Sequence, residues 1–190
     1  MQKGIALKQY GILIVLSIVT AIGLNNVLML LNLAKYSPRY QEAANILYAP
    51  PFIQQVLYTG ILMPMLEELL FRGLVFRVLK KWISFPVAMV ISAVLFALYH
   101  GNLVQFVYAF FCGLLLAFIY EKYGSLLAPI LSHMTMNLVA IILTEFGIFA
   151  WMFHDIFRAV EISVVCGVLF MIYIRKLFQT PEIGCYKNVK

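Results

Sequence analysis

The stretch PFIQQVLYTGILMPMLEELLFRGLVFRVLKK, residues 51–81, decides the fold. It carries Glu67, Glu68 and Arg72 near the middle of an otherwise apolar run. Roughly 20 apolar residues cross a hydrocarbon core of about 30 Å, so Phe52 to Leu79 reads as a transmembrane helix. A charge held at mid-bilayer costs on the order of 2.5 to 3.5 kcal/mol on insertion scales. Chains keep such groups when they pair with one another or perform chemistry.

The rest of the chain has the same character. Of its 190 residues, 64% are hydrophobic and 12% charged, whereas a soluble domain is about half apolar and about a quarter charged. No hydrophilic stretch is long enough to fold separately, so residues 1–190 read as a single transmembrane domain. The expected fold is an all-α polytopic bundle of about six spans. They fall near Tyr10–Leu33, Phe52–Leu79, Pro86–His100, Leu103–Tyr120, Ser125–Thr144 and Phe157–Leu177. The first is read as a retained helix, because it exceeds an ordinary signal-peptide core and no small-x-small cleavage site follows it. Gly101-Asn102 reads as a helix stop and tight turn. The aromatic segment Phe146–Asp155 is expected at the membrane interface.

Charge sets the orientation. With both termini in the cytoplasm, the inner side holds Lys3, Lys8, Arg77, Lys80, Lys81, Lys122, Arg175, Lys176, Lys187 and Lys190. The outer side holds only Lys35, Arg39 and Arg158, an asymmetry that matches the positive-inside rule. The net charge of +6 therefore arises from span ends, and a nucleic-acid partner is excluded. Cys112, Cys166 and Cys185 show no metal or disulfide spacing.

Two further polar pairs lie in apolar runs, Phe96-x-x-x-His100 and His133-x-x-x-Asn137. At ~1.5 Å per residue, Glu67 lies roughly 20 Å from Lys80, His100 roughly 21 Å from Pro86, and His133 and Asn137 about 12 and 18 Å from Ser125. Helices running in alternate directions thus bring their polar groups to similar depth. Glu68 and Arg72 are four apart and share a face, with the acid placed first, the better order for a pair. Glu67 is rotated by roughly 100° from Glu68 and is left as a free base. Pro64, one turn earlier, reads either as a kink in this helix or equally as a transmembrane proline accommodated within it.

Elimination narrows the chemistry. Asp155 is the sole aspartate, so no aspartyl dyad exists, and neither a G-x-S-x-G turn nor an H-E-x-x-H helix is present. What remains for hydrolysis is a water activated by Glu67 with an assisting histidine, and His or Asn donors for an oxyanion. A zinc version with Glu67, His100 and His133 as ligands stays open beside the metal-free one. The bland alternatives are a buried ion cluster for the Glu67, Glu68 and Arg72 set and interhelical hydrogen bonds for the histidines and Asn137. The ion cluster leaves one acid over, and the shared depth favours a site. Asn25, Asn26 and Asn32 read as helix-packing glue.

Glu67-Glu68-Leu-Leu-Phe-Arg72, Phe96-Ala-Leu-Tyr-His100 and His133-Met-Thr-Met-Asn137 resemble the E-E-x-x-x-R, F-x-x-x-H and H-x-x-x-N/B motifs of the CAAX protease and bacteriocin-processing (Abi) family, in order. The motif block spans residues 67–137. The resemblance implies a multi-pass intramembrane endopeptidase, with a bacterial plasma membrane as the expected location. It implies that Glu67 and His100 activate water, that His133 and Asn137 stabilise the oxyanion, and that Glu68 and Arg72 support them. Its expected partners are the lipid bilayer and a peptide or membrane-associated protein substrate, in peptide maturation, bacteriocin immunity or protein processing. The competing readings are a non-catalytic membrane regulator or immunity protein that binds a sensor or peptide and, last, a small transporter.

Overall fold

The computed structural model describes residues 5–181. Helix accounts for 86% of the structure, with no strand among the described residues, so the all-α expectation holds. Helix α1 (Leu7–Leu30) leads through a short 3₁₀ turn (Leu33–Tyr36) into α2 (Pro38–Tyr48). Helix α3 occupies residues 52–79 without interruption. It is followed by α4 (Phe85–Tyr99), α5 (Leu103–Tyr123), α6 (Leu127–Glu145), the short α7 (Ile148–Phe153) and α8 (Ile156–Gln179).

Four of these helices, α1, α5, α6 and α8, are long and apolar enough to cross a membrane. Helix α4 is a shorter apolar helix of 15 residues. Lys3, Cys185, Lys187 and Lys190, which entered the charge and cysteine readings, lie outside the described residues.

Local chemistry sets the helix ends. Helix α1 begins before the expected Tyr10 because the Gln9 side chain reaches back to accept from the Ala6 N–H at 2.7 Å. Asn32, with φ at 52°, breaks the chain after it. Gly101 adopts φ 72°, and Asn102 then caps α5 by accepting from the Gln105 N–H at 3.0 Å, as the Gly-Asn pair implied. Helix α5 runs to Tyr123, past the expected Tyr120. There Lys122 is buried and donates to the Phe178 carbonyl at 3.3 Å, and Gly124 stops the helix at φ 60°. Helix α2 had no counterpart in the expected spans, because it is short and its face is too polar to read as membrane-crossing.

Helix α1 packs along α8 and α6, α4 packs along α5, and α3 lies against α6. The centre of the bundle is formed by Leu13, Leu16, Leu116, Ile119, Met136 and Leu177, all fully buried. Val164, Val165, Val168 and Met171 of α8 face outward, an apolar surface suited to lipid. Helices α4 and α5 approach most closely at Gly113, where an added Cβ would come 3.1 Å from both Cα and Cβ of Ala93. This close contact brings Phe96 of α4 over the polar groups of α3.

Candidate active site

Helix α3 has a changing hydrogen-bond pattern. Wide i→i+5 turns over Gln55–Leu62 and Leu69–Phe76 flank an ordinary α-helical piece, Met63–Glu68, which carries both glutamates. Wide turns of this kind occur often at functional sites. Pro64 sits in the first turn of that piece, and the helix continues through it by changing pattern.

Glu68 and Arg72 are fully buried and joined by Arg72 Nη1 to Glu68 Oε1 at 2.6 Å, the pairing their i,i+4 spacing implies. Arg72 Nη2 donates to the Gly113 carbonyl at 3.1 Å, and its guanidinium lies 4.6 Å from the centre of the Phe96 ring. Partners for a buried charge offset the heavy penalty of removing it from water. The Phe96 ring meets His100 and His133 edge-on, at 4.9 and 5.6 Å between centroids, so one aromatic side chain packs against Arg72 and both histidines.

His133 stands between the two acids. Its Nδ1 lies 2.9 Å from Glu68 Oε1, and its Nε2 lies 3.6 Å from Glu67 Oε2. A carboxylate oxygen can only accept, so Nδ1 carries the hydrogen in that bond. Glu68 thus fixes the ring and turns Nε2 toward Glu67. The 3.6 Å gap is too long for a hydrogen bond, yet short enough for both groups to touch one reacting molecule.

His100 follows the last residue of α4, and its Nδ1 is bonded to the Phe96 carbonyl at 2.9 Å. A carbonyl accepts, so Nδ1 is the donor and Nε2 is left for other contacts. His100 forms no ion pair with either glutamate among the described residues. Asn137, one turn after His133, donates from Nδ2 to the Thr59 carbonyl of α3 at 2.9 Å.

Glu67, His100, His133 and Asn137 line a single cavity of about 240 Å³. Helices running in opposite directions therefore bring these groups together at one level. The cavity is walled by Tyr108, Cys112 and Asn25, and roofed by Tyr40 and Tyr48 of α2. Sequence reasoning missed Tyr108 and the α2 tyrosines, because tyrosine is common near span ends and gives no spacing signal. Asn25, read as packing glue, donates to the Ala21 carbonyl at 2.8 Å and also reaches the cavity wall. Asn26 is buried in α1, and Asn32 ends the helix. No three His, Cys, Asp or Glu side chains among the described residues converge closely enough to hold a metal ion.

The sequence comparisons bear on this cavity. Residues 49–139 match a family model described as type II CAAX prenyl endopeptidase Rce1-like. Over those residues, just under half of its length, the chain is similar to that family. That Rce1-like segment contains every residue of the three motifs and the whole of α3, α4 and α5. No curated protein and no solved structure matches the chain.

Proposed function

We propose that this Rce1-like chain is an intramembrane endopeptidase that hydrolyses a peptide bond in the cavity between α3, α4, α5 and α6. The observation that carries this reading is the placement of Glu67 Oε2 and His133 Nε2, 3.6 Å apart on one cavity wall with His100 and Asn137. In this mechanism Glu67 takes a proton from the attacking water. That proton moves from Glu67 to Nε2 of His133, whose ring Glu68 orients, and from there to the leaving amine as the peptide C–N bond breaks. Positioned acid–base groups of this kind contribute about 10²- to 10⁴-fold to rate.

As the peptide carbonyl becomes tetrahedral, the oxyanion takes hydrogen bonds from His100 Nε2–H, when that ring is protonated, and from the second amide N–H of Asn137. Removing one such donor elsewhere costs about 10²- to 10³-fold. Pairing His133 with Glu67 rearranges the roles that the family resemblance implied, in which His100 partnered Glu67. The reason is geometric, since His133 is the ring bonded to Glu68 and turned toward Glu67.

No step is routed through zinc. Glu67, His100 and His133 do not converge closely enough to hold a metal ion, and among the described residues no other such group does.

The test uses purified protein in lipid vesicles with two peptides, one farnesylated and ending in Cys-aliphatic-aliphatic-X, the other the same sequence without the lipid. Cleavage of either peptide that Glu67→Gln abolishes supports the reading, and preference between them defines the substrate. Cleavage that persists in Glu67→Gln contradicts the role given to Glu67.

A further inference from the structure

The bond between Asn137 and Thr59 has a cause in the sequence of α3. In the wide turn before Pro64, the Met63 N–H donates to the Tyr58 carbonyl, five residues back. Continued by one residue, that pattern would give the Thr59 carbonyl its bond from residue 64. Pro64 has no N–H, so the Thr59 carbonyl has no helical partner in this register. This carbonyl is partly buried between helices, and leaving such a group bare costs free energy approaching that of a lost hydrogen bond. The donor is Asn137 Nδ2 of α6, at 2.9 Å.

This bond has two effects. A carbonyl accepts only from the NH₂ end of an amide, so the orientation of the Asn137 side chain is fixed, with one N–H on Thr59 and the other left over. The bond also ties α3, four residues before the glutamate-bearing piece begins at Met63, to α6 one turn beyond His133. Gly60 permits the approach, because an added Cβ there would come 2.6 Å from the Leu138 side chain, next to Asn137.

We propose, on the basis of the hydrolytic reading above, that Pro64 is a positioning residue. By withholding a backbone donor from the Thr59 carbonyl, it leaves that carbonyl to aim the Asn137 amide into the cavity. Proline here acts through a hydrogen bond it cannot make, on a side chain of another helix.

Wild type, Pro64→Ala, Asn137→Ala and the double variant are compared in two ways. The first readout is the melting temperature in detergent. Asn137→Ala leaves the Thr59 carbonyl bare and lowers it by several degrees. Adding Pro64→Ala supplies an N–H to that carbonyl and recovers most of the loss.

The second readout is the rate on a peptide whose cleavage Glu67→Gln abolishes. Pro64→Ala lowers kcat about tenfold or more with KM unchanged, as misplacement of a catalytic group does. Asn137→Ala lowers kcat further, and the double variant is no slower than Asn137→Ala alone. A wild-type rate in Pro64→Ala, multiplied losses in the double variant, or no recovery of melting temperature would each overturn the proposal. If wild type cleaves no peptide the hydrolytic reading has failed, and if Glu67→Gln still cleaves the role given to Glu67 has failed; in either case the melting temperatures alone decide whether the Thr59 bond depends on Pro64.

Discussion

Glu68 Oε1 lies 2.9 Å from His133 Nδ1 while also taking Arg72 Nη1 at 2.6 Å, so one carboxylate oxygen joins a structural ion pair to the ring that faces Glu67. The adjacent acids of α3 therefore have unequal positions. Glu68 is enclosed and shared between two partners, whereas Glu67 borders the cavity. This inequality predicts that substitutions at the two positions behave differently.

Glu68→Gln is expected to damage folding as well as activity. It leaves the Arg72 guanidinium buried without its counter-charge, and breaking a buried pair from one side costs about 3 to 5 kcal/mol. Thermal unfolding in detergent should show a large loss for Glu68→Gln and little change for Glu67→Gln. Equal losses would contradict the division of roles.

Arg72→Lys is expected to fail despite keeping the charge. An ammonium cannot hold Glu68 and the Gly113 carbonyl through two separate guanidinium nitrogens, nor stack flat on the Phe96 ring. A melting temperature well below wild type, together with impaired cleavage, is the predicted outcome. A wild-type melting temperature would show that the fork and the stack are dispensable.

The level of the site depends on a tight crossing. Gly113→Val would push against Ala93 and Phe96, which an added Cβ already meets at 3.1 and 3.3 Å. Overpacking of this kind costs about 1 to 3 kcal/mol. It should also shift the ring that contacts both histidines, so cleavage should fall more than stability alone explains when measured well below the melting temperature.

The partly exposed pair of Lys80 and Glu121 at the far end of α3 is a contrasting case. Surface ion pairs contribute about 0 to 1 kcal/mol. Glu121→Gln is therefore expected to leave the melting temperature within a degree or two of wild type and to leave cleavage unchanged.

Much of this was legible in the sequence, for identifiable reasons. The i,i+4 spacing of Glu68 and Arg72 determined their pairing, and the Gly101-Asn102 turn was readable because each residue has a local job. Depth reckoning along α3, α4 and α6 was enough to bring Glu67, His100, His133 and Asn137 to one cavity, since straight helices convert residue number into height. It could not say which histidine faces Glu67, because that depends on rotation and lateral placement as well as height. Helix α2 escaped notice because a helix of 11 residues with so many polar side chains carries no long apolar run. The acceptor of Asn137 was hidden for another reason: the partner is a backbone carbonyl, which no residue type announces, left open by a proline read as a kink or as an accommodated residue of the helix.

In the proposed reaction Glu67 activates the water that hydrolyses the peptide. The most direct test of this role compares native membranes containing wild type or Glu67→Gln at equal expression, with new peptide termini read by mass spectrometry. Termini found with wild type and absent with Glu67→Gln, while both proteins melt at similar temperature, are the predicted result. The same termini in both membranes, or none attributable to wild type in a cell that needs the protein, would contradict it and favour a membrane regulator that binds its partner without cutting it.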